Sequence, residues 1–138
     1  MEAVGWLATP EQARFLWLLS WWGLATGAVG LWSGRWAWHG AGVIVGSVFA
    51  RAYWRRPVRG WRRTVDMTWV QLLIWTHLWS VLWGEPADVI VPYVGTQMAG
   101  AAAYGVSWWF LDRGWMWSAA LCHAAVHAAA NLSLLFLY

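Results

Sequence analysis

The residues whose types and spacing could do chemistry lie near the end of the chain. His123, His127 and Asn131 follow one another at intervals of four residues within the apolar run 115–138. On a helix, residues four apart project from one face. Two histidines placed in this way can bind a single metal ion. The run is also rich in alanine, which allows neighbouring helices to approach closely.

A third histidine extends this pattern to a complete metal-binding set. His77 would supply the third nitrogen ligand, and three histidines with an open fourth position suit a zinc ion that activates water. Asp66 lies eleven residues before His77, about three helical turns, so the two share a face. In this interpretation His77, His123 and His127 bind zinc, and Asp66 and Asn131 are the catalytic or supporting residues.

The same residues are compatible with three other roles. Histidine, glutamine, asparagine and threonine can join helices by hydrogen bonds. Histidine can relay protons because it titrates near neutral pH, and it can also be an axial ligand of haem or chlorophyll. Asp66 has a simpler interpretation as a carboxylate in the first turn of a helix, paired with Arg62 or Arg63.

Composition indicates where these residues are placed. Of the 138 residues, 61% are hydrophobic and only 11% are charged, well below the usual quarter. The 17 tryptophans are typical of a protein with much surface at membrane–water boundaries. The chain is therefore predicted to be one membrane domain, 1–138.

Apolar runs and the breaks between them predict an all-α bundle of about five transmembrane helices. Thr9, Pro10 and Gln12 predict a capped helix start, and Asp88 is the predicted N-cap of the fourth helix. The predicted spans are about 10–32, 36–54, 64–83, 89–111 and 115–138.

Small residues predict close helix contacts on the first two spans. Gly23 and Gly27 form one such face, and Gly42, Gly46 and Ala50 form another. These contacts could be within the chain or between chains, so a homo-oligomer or a larger membrane complex is an expected form of assembly.

Arginines determine the predicted topology. Six of the nine lie between residues 51 and 63, which places this loop and the N-terminus on the cytoplasmic-equivalent side and the C-terminus on the opposite side. A local cluster of this kind favours anionic lipid rather than nucleic acid as a partner. The arginines predicted to contact headgroups are Arg51, Arg55, Arg56, Arg59, Arg62 and Arg63.

Helix rise predicts a polar belt near the middle of the membrane. His77, His127, Gln97 and Thr26 fall at similar depths on four different helices. Tryptophans occupy the face of the third helix opposite His77, toward lipid or a partner chain; they are Trp75, Trp79 and Trp83.

Two resemblances follow from these motifs. The pattern resembles a group of small polytopic membrane proteins of algae, other protists and their large DNA viruses. It consists of Tyr53-Trp54-Arg55-x-Pro57, Trp61-Arg62-Arg63-x-x-Asp66, His123-x3-His127-x3-Asn131 and Leu137-Tyr138. This resemblance implies a membrane location and no particular activity.

An early histidine followed by a late HxxxH is also similar to the CREST superfamily of membrane hydrolases. That resemblance implies zinc-dependent amide hydrolysis in lipids, with His77, His123 and His127 as the ligands. The chain departs from that superfamily in having five predicted spans where the superfamily has seven, and in placing Asp66 before His77.

The sequence therefore favours a small multi-pass membrane protein with a structural or accessory role and a midplane cluster of His, Gln and Asn. One alternative is a metal-dependent membrane hydrolase that acts on a lipid through its three histidines. The other is a small channel or proton-linked transporter that uses the same belt. Residue types alone leave open whether the protein is an enzyme.

Overall fold

The computed structural model describes residues 8–58 and 60–138, and the regular structure in this part of the chain is α-helical. The all-α prediction is therefore confirmed. Residues 1–7 and Arg59, one of the predicted headgroup contacts, lie outside the described residues. The five helices are α1 (Pro10–Trp32), α2 (Ala37–Trp54), α3 (Trp61–Gly84), α4 (Ala87–Asp112) and α5 (Met116–Leu135).

The start of α1 follows the predicted capping pattern. The backbone N–H of Gln12 donates to Oγ1 of Thr9 at 3.4 Å, and the backbone N–H of Thr9 donates to Oε1 of Gln12 at 2.8 Å. Pro10 occupies the first turn, where its missing N–H leaves no intrahelical hydrogen bond unmade. The predicted capping box is confirmed.

The start of α4 differs from the prediction. Pro86, in an extended conformation, is the N-cap residue, and Asp88 lies inside the first turn. The prediction that Asp88 caps this helix is therefore wrong. Proline has no backbone N–H to donate to a carbonyl four residues earlier, so the helix does not continue back through Pro86. Its fixed φ suits the residue just before the helix. The carboxylate of Asp88 still lies at the positive end of the helix dipole.

The helices pack as two tight hairpins with one more loosely held helix. α1 packs along α2, and α4 packs along α5; α1 also contacts α5. Gly34 and Gly114, at φ 71° and 73°, allow the tight turns within these hairpins. α3 packs mainly against α2 and makes few contacts with α4. It is therefore held mainly along the side that faces α2.

The closest helix approach is between α1 and α2 at Gly40. A Cβ atom added to Gly40 would lie 2.5 Å from the backbone N of Leu31 and 2.6 Å from the carbonyl O of Gly27. The two backbones are in direct contact here, as is typical of glycine at helix crossings. The predicted Gly27 face thus contacts a neighbouring helix within the chain, and its partner Gly40 was not singled out by the sequence pattern.

The second small-residue face points to α3. A Cβ added to Gly42 would meet the Leu73 side chain at 2.6 Å, and one added to Gly46 would meet Trp69 at 3.0 Å. The indole N–H of Trp69 donates to the Gly42 carbonyl at 2.9 Å. Gly42 and Gly46 therefore allow α3 of the same chain to pack closely against α2.

Two of the five helices, α1 and α5, are long and apolar enough to cross a bilayer, judged by length and composition. On α3, Trp75, Trp79 and Trp83 are exposed, while Asp66 and His77 are buried. The predicted opposition of a tryptophan face and a polar face on this helix is confirmed.

Candidate functional site: a cavity lined by all five helices

A cavity of about 490 Å³ runs through the bundle, and all five helices contribute to its walls. On α5 its lining extends from Met116 to Leu134, which corresponds to about 27 Å along the helix. The cavity is therefore elongated along the bundle.

Packed clusters lie near the two ends of the cavity. One contains Leu16, Tyr53, Trp54 and Ala120. The other contains Trp36, Val43, Val81, Tyr93 and Leu134. Between them the walls are mostly apolar, with a small number of polar groups, as is typical of sites for small molecules.

Most of the polar residues singled out by the sequence line this cavity. Thr26 does not: it is buried, and its hydroxyl donates to the carbonyl of Trp22 in its own helix at 3.1 Å. A threonine in a helix can satisfy its hydroxyl on the preceding turn in this way. The predicted residues that do line the cavity are Asp66, His77, Gln97, His123, His127 and Asn131.

The histidines form two separate pairs rather than one metal-binding set. The rings of His77 and His39 are 4.5 Å apart between centroids, and those of His123 and His127 are 5.3 Å apart. Within residues 8–58 and 60–138, no group of three or more His, Cys, Asp or Glu side chains is placed to hold a metal ion. The predicted zinc site at His77, His123 and His127 is not assembled, because α3 packs on α2 and brings His77 to His39.

Hydrogen bonds define the tautomers of the first pair. His77 Nδ1 lies 2.8 Å from the carbonyl O of Leu73 and must donate to it. Nε2 of a neutral His77 is then an acceptor, and it is buried without a partner. His39 Nε2 lies 3.1 Å from Oγ of Ser80, whose own hydroxyl donates to the carbonyl of Thr76. His39 is therefore the donor in that contact.

The side-chain amide N–H groups of Gln97 and Asn131 form hydrogen bonds within the bundle. Gln97 Nε2 donates to Oγ of Ser133 at 2.9 Å and so joins α4 to α5. Asn131 Nδ2 donates to the carbonyl of His127 at 2.8 Å, within α5. Asn131 was predicted to support catalysis beside a metal, but its amide group is directed to its own backbone.

Asp66 has no ion-pair partner where the sequence predicted one. In the described part of the chain, the ion pair within 4.0 Å is that of Arg35 and Glu85. Arg63 instead lies over the ring of Trp108, with Cζ 5.6 Å from its centroid, and Arg62 lies over Trp61 at 5.5 Å. Stacking on indole is a common alternative for a guanidinium. The Asp66 side chain is 8% exposed, and its Oδ1 atom has no hydrogen-bond partner.

Aromatic rings enclose the end of the cavity that contains Asp66. The ring of His123 lies 5.1 Å from that of Trp54 and 6.2 Å from that of Tyr104. We call the part lined by Tyr53, Trp54, Tyr104 and Trp108 the aromatic end. Sequence reasoning missed this grouping, because its members come from the C-terminal parts of α2 and α4 and share no local motif.

The other arginines predicted to contact lipid are placed in two ways. Arg55, Arg56 and Arg62 are exposed. Arg51 is half-buried, with Cζ 3.7 Å from the ring centroid of Trp21 and 5.0 Å from that of Trp17. The three exposed arginines are available to headgroups, whereas Arg51 holds α2 against α1.

The cavity opens sideways between α3 and α4. Gln71 of α3 and Met98 and Ala101 of α4 line it and are also exposed, Met98 at 65%. These two helices make few contacts with one another. We call this opening, bounded by Gln71, Met98 and Ala101, the side mouth.

No protein-family model matches this chain, and neither a curated protein nor a solved structure does.

Proposed function

We propose that the chain is a five-helix integral membrane protein whose interior binds a single-chain amphiphile taken up from the bilayer through the side mouth. Binding of this kind is one form of the accessory role that the sequence favours. The observation that carries the proposal is the elongated, mostly apolar cavity that opens at the flank of the bundle.

Surface chemistry supports the membrane location. Trp32, Trp38 and Trp83 are exposed at 93%, 90% and 76%, and they are accompanied by many exposed aliphatic side chains. Contiguous apolar surface of this kind marks interaction with a membrane or a protein. All five helices, of 18 to 26 residues, measure about 27 Å or more and suit a hydrocarbon core of about 30 Å. The arginines of residues 51–63 then favour the cytoplasmic-equivalent side for that loop.

The shape of the cavity supports the class of ligand. The volume of about 490 Å³ lies in the range of pockets that hold one small-molecule ligand, and the length of about 27 Å along α5 suits an extended hydrocarbon chain. Apolar walls match the hydrocarbon that the chain leaves, so an alkyl chain can pass from the bilayer into the cavity without exposing its methylene groups to water. Polar atoms without partners on residues that line the cavity offer anchoring points for a polar head; they include Gln12 Nε2, Asp66 Oδ1, His77 Nε2 and His127 Nε2.

The position of the opening favours binding over conduction. A channel needs a path from one side of the membrane to the other, lined by groups that replace water around an ion. Here packed clusters lie near both ends of the cavity, and the mouth lies between α3 and α4. Its exposed edge would face hydrocarbon, where an alkyl chain is the available ligand.

A matched pair of variants on α4 tests the proposal. Ala101 and Ala102 are neighbours and both exposed, but only Ala101 lines the cavity. The protein in phosphatidylcholine nanodiscs is labelled with a photoactivatable alkyl chain that ends in a hydroxyl group. We expect Ala101→Trp to obstruct the side mouth and lower labelling about tenfold, equivalent to about 1.4 kcal/mol, and Ala102→Trp to leave it unchanged.

Circular dichroism checks that both variants keep their helix content. Mapping of the labelled peptides should place the probe on cavity-lining residues of α3, α4 and α5. Equal labelling of the two variants, or labels confined to the outer tryptophan face, would contradict the proposal.

A further inference from the structure

We infer that the amphiphile bound by this protein carries an ammonium head, held at the aromatic end by the carboxylate of Asp66 and the surrounding aromatic rings. The inference rests on the proposed function and specifies which chemical class of ligand the cavity takes. A long-chain amine or a long-chain quaternary ammonium compound belongs to this class.

Among the residues that the structure describes, Asp66 is a buried carboxylate that lacks both a close counterion and a full set of hydrogen bonds. Its side chain is 8% exposed, it lines the cavity, and its Oδ1 atom has no hydrogen-bond partner. An ionised carboxylate buried without a close counterion is costly, and buried charges are normally paired. A ligand cation beside Asp66 would supply the missing counterion.

Aromatic side chains line the cavity around that carboxylate. Tyr53, Trp54, Tyr104 and Trp108 come from two helices and line the same end of the cavity. Tyr53 lies within electrostatic reach of both Arg63 and Asp66. The faces of aromatic rings carry negative electrostatic potential, and rings grouped in this way bind quaternary ammonium ions. An aromatic enclosure containing one carboxylate is complementary to a cation and repels an anion.

Arg63 is the group that could reverse this preference. It precedes Asp66 by three residues, so the two lie on one face of α3, and both line the cavity. Its guanidinium, however, already lies over the Trp108 ring, and the residue is less buried than Asp66. The charge of Arg63 reaches both Asp66 and Tyr53, so Arg63 opposes the preference for a cation, whereas the carboxylate of Asp66 and the aromatic rings favour it.

The position of the head also fits the shape of the cavity. From the aromatic end the lining continues past His127 to Leu78 and Leu134. A chain attached to an ammonium group beside Asp66 would therefore extend along apolar walls. The head would lie near the arginine-rich loop and the chain would occupy the interior of the bundle.

The test uses three probes that share one photoactivatable alkyl chain and end in trimethylammonium, hydroxyl or carboxylate. Each is applied to the full chain in phosphatidylcholine nanodiscs, and the labelling that remains in Ala101→Trp is subtracted. We expect the trimethylammonium probe to label the wild type about tenfold more than the hydroxyl probe, and the carboxylate probe to label it least.

Charge variants then give results of opposite sign. Asp66→Asn should remove the preference for the trimethylammonium probe over the hydroxyl probe. Asp66→Glu, which keeps the charge, should retain the preference. Arg63→Gln should increase it, whereas Arg62→Gln, which alters an exposed arginine stacked on Trp61 outside the cavity lining, should have no effect.

Two failures can be told apart in this design. If the hydroxyl probe labels the wild type but trimethylammonium gives no advantage, or if Asp66→Asn keeps that advantage, the ammonium inference is overturned and the cavity proposal stands. If no probe labels the wild type more than Ala101→Trp, both are overturned. Preference for the carboxylate probe, lost in Arg63→Gln, would assign the aromatic end to an anionic head and overturn the inference.

Discussion

Replacing Gly40 by alanine should separate the two helices that approach most closely. A Cβ atom at this position would lie 2.5 Å from the backbone N of Leu31 and 2.6 Å from the carbonyl O of Gly27. Both neighbours are backbone atoms of α1, which cannot rotate away as a side chain could. Gly95 of α4 is the matched control, because a Cβ added there meets nothing within 4 Å.

The expected change in stability follows from two opposing terms. Alanine stabilises a helix by about 0.5–1 kcal/mol relative to glycine, and Gly95→Ala should show this gain. Carbon contacts are comfortable at about 3.5 Å, so at Gly40 the helices must separate by about 1 Å. Overpacking of this kind costs about 1–3 kcal/mol. The helix-propensity gain is common to both variants, so Gly40→Ala should be less stable than Gly95→Ala by the overpacking cost, about 1–3 kcal/mol.

Unfolding in mixed micelles, followed by far-ultraviolet circular dichroism, measures this difference directly. Both variants are titrated with a denaturing detergent beside the wild type, and the free energies of unfolding are compared. Equal free energies for Gly40→Ala and Gly95→Ala would refute the close contact of α1 and α2, and with it the arrangement of the bundle around the cavity.

Two further predictions concern α3 and the topology. Trp69→Phe removes the hydrogen bond from its indole N–H to the Gly42 carbonyl and should destabilise the protein by about 1 kcal/mol. Trp75→Phe, at a side chain that is 64% exposed, should be nearly neutral, and the same unfolding titration compares them. For the topology, single cysteines placed at Arg56 and at Glu85 in a Cys122→Ala background should react with a membrane-impermeant maleimide from opposite sides of sealed vesicles; reaction from the same side would contradict it.

Local signals predicted much of the helical structure. Thr9, Pro10 and Gln12 define the start of α1 through contacts three residues apart, and such contacts depend only on the adjacent chain. The polar and tryptophan faces of α3 likewise follow from helical periodicity, because Trp75 and His77 lie on different sides of one helix.

Interhelical placement could not be predicted in the same way. His77 was expected beside His123 and His127, but it contacts His39 because α3 lies against α2. The predicted depth of Thr26 matched that of the cavity residues. The direction of its side chain, however, depends on how α1 is rotated about its own axis. Depth along a helix follows from residue number, whereas rotation and partner choice depend on packing among all five helices.

The aromatic end shows a related limit. Its tyrosines and tryptophans are unremarkable among so many aromatic residues, and they form a group only when the ends of α2 and α4 meet around His123. Asp66 was noticed for its position in a first turn, but its lack of a partner depends on where the Arg63 guanidinium settles.

The one-sided attachment of α3 connects entry with stability. Helices α2, α1, α5 and α4 pack against one another in succession, whereas α3 packs mainly against α2. Gly42 and Trp69 hold α3 there by a hydrogen bond, and neither residue lines the cavity. A movement of α3 away from α4 would change mainly its contact with α2 and would leave the packing of the other four helices in place. Gly42 and Trp69, which do not contact the bound ligand, would then govern the rates of ligand association and dissociation.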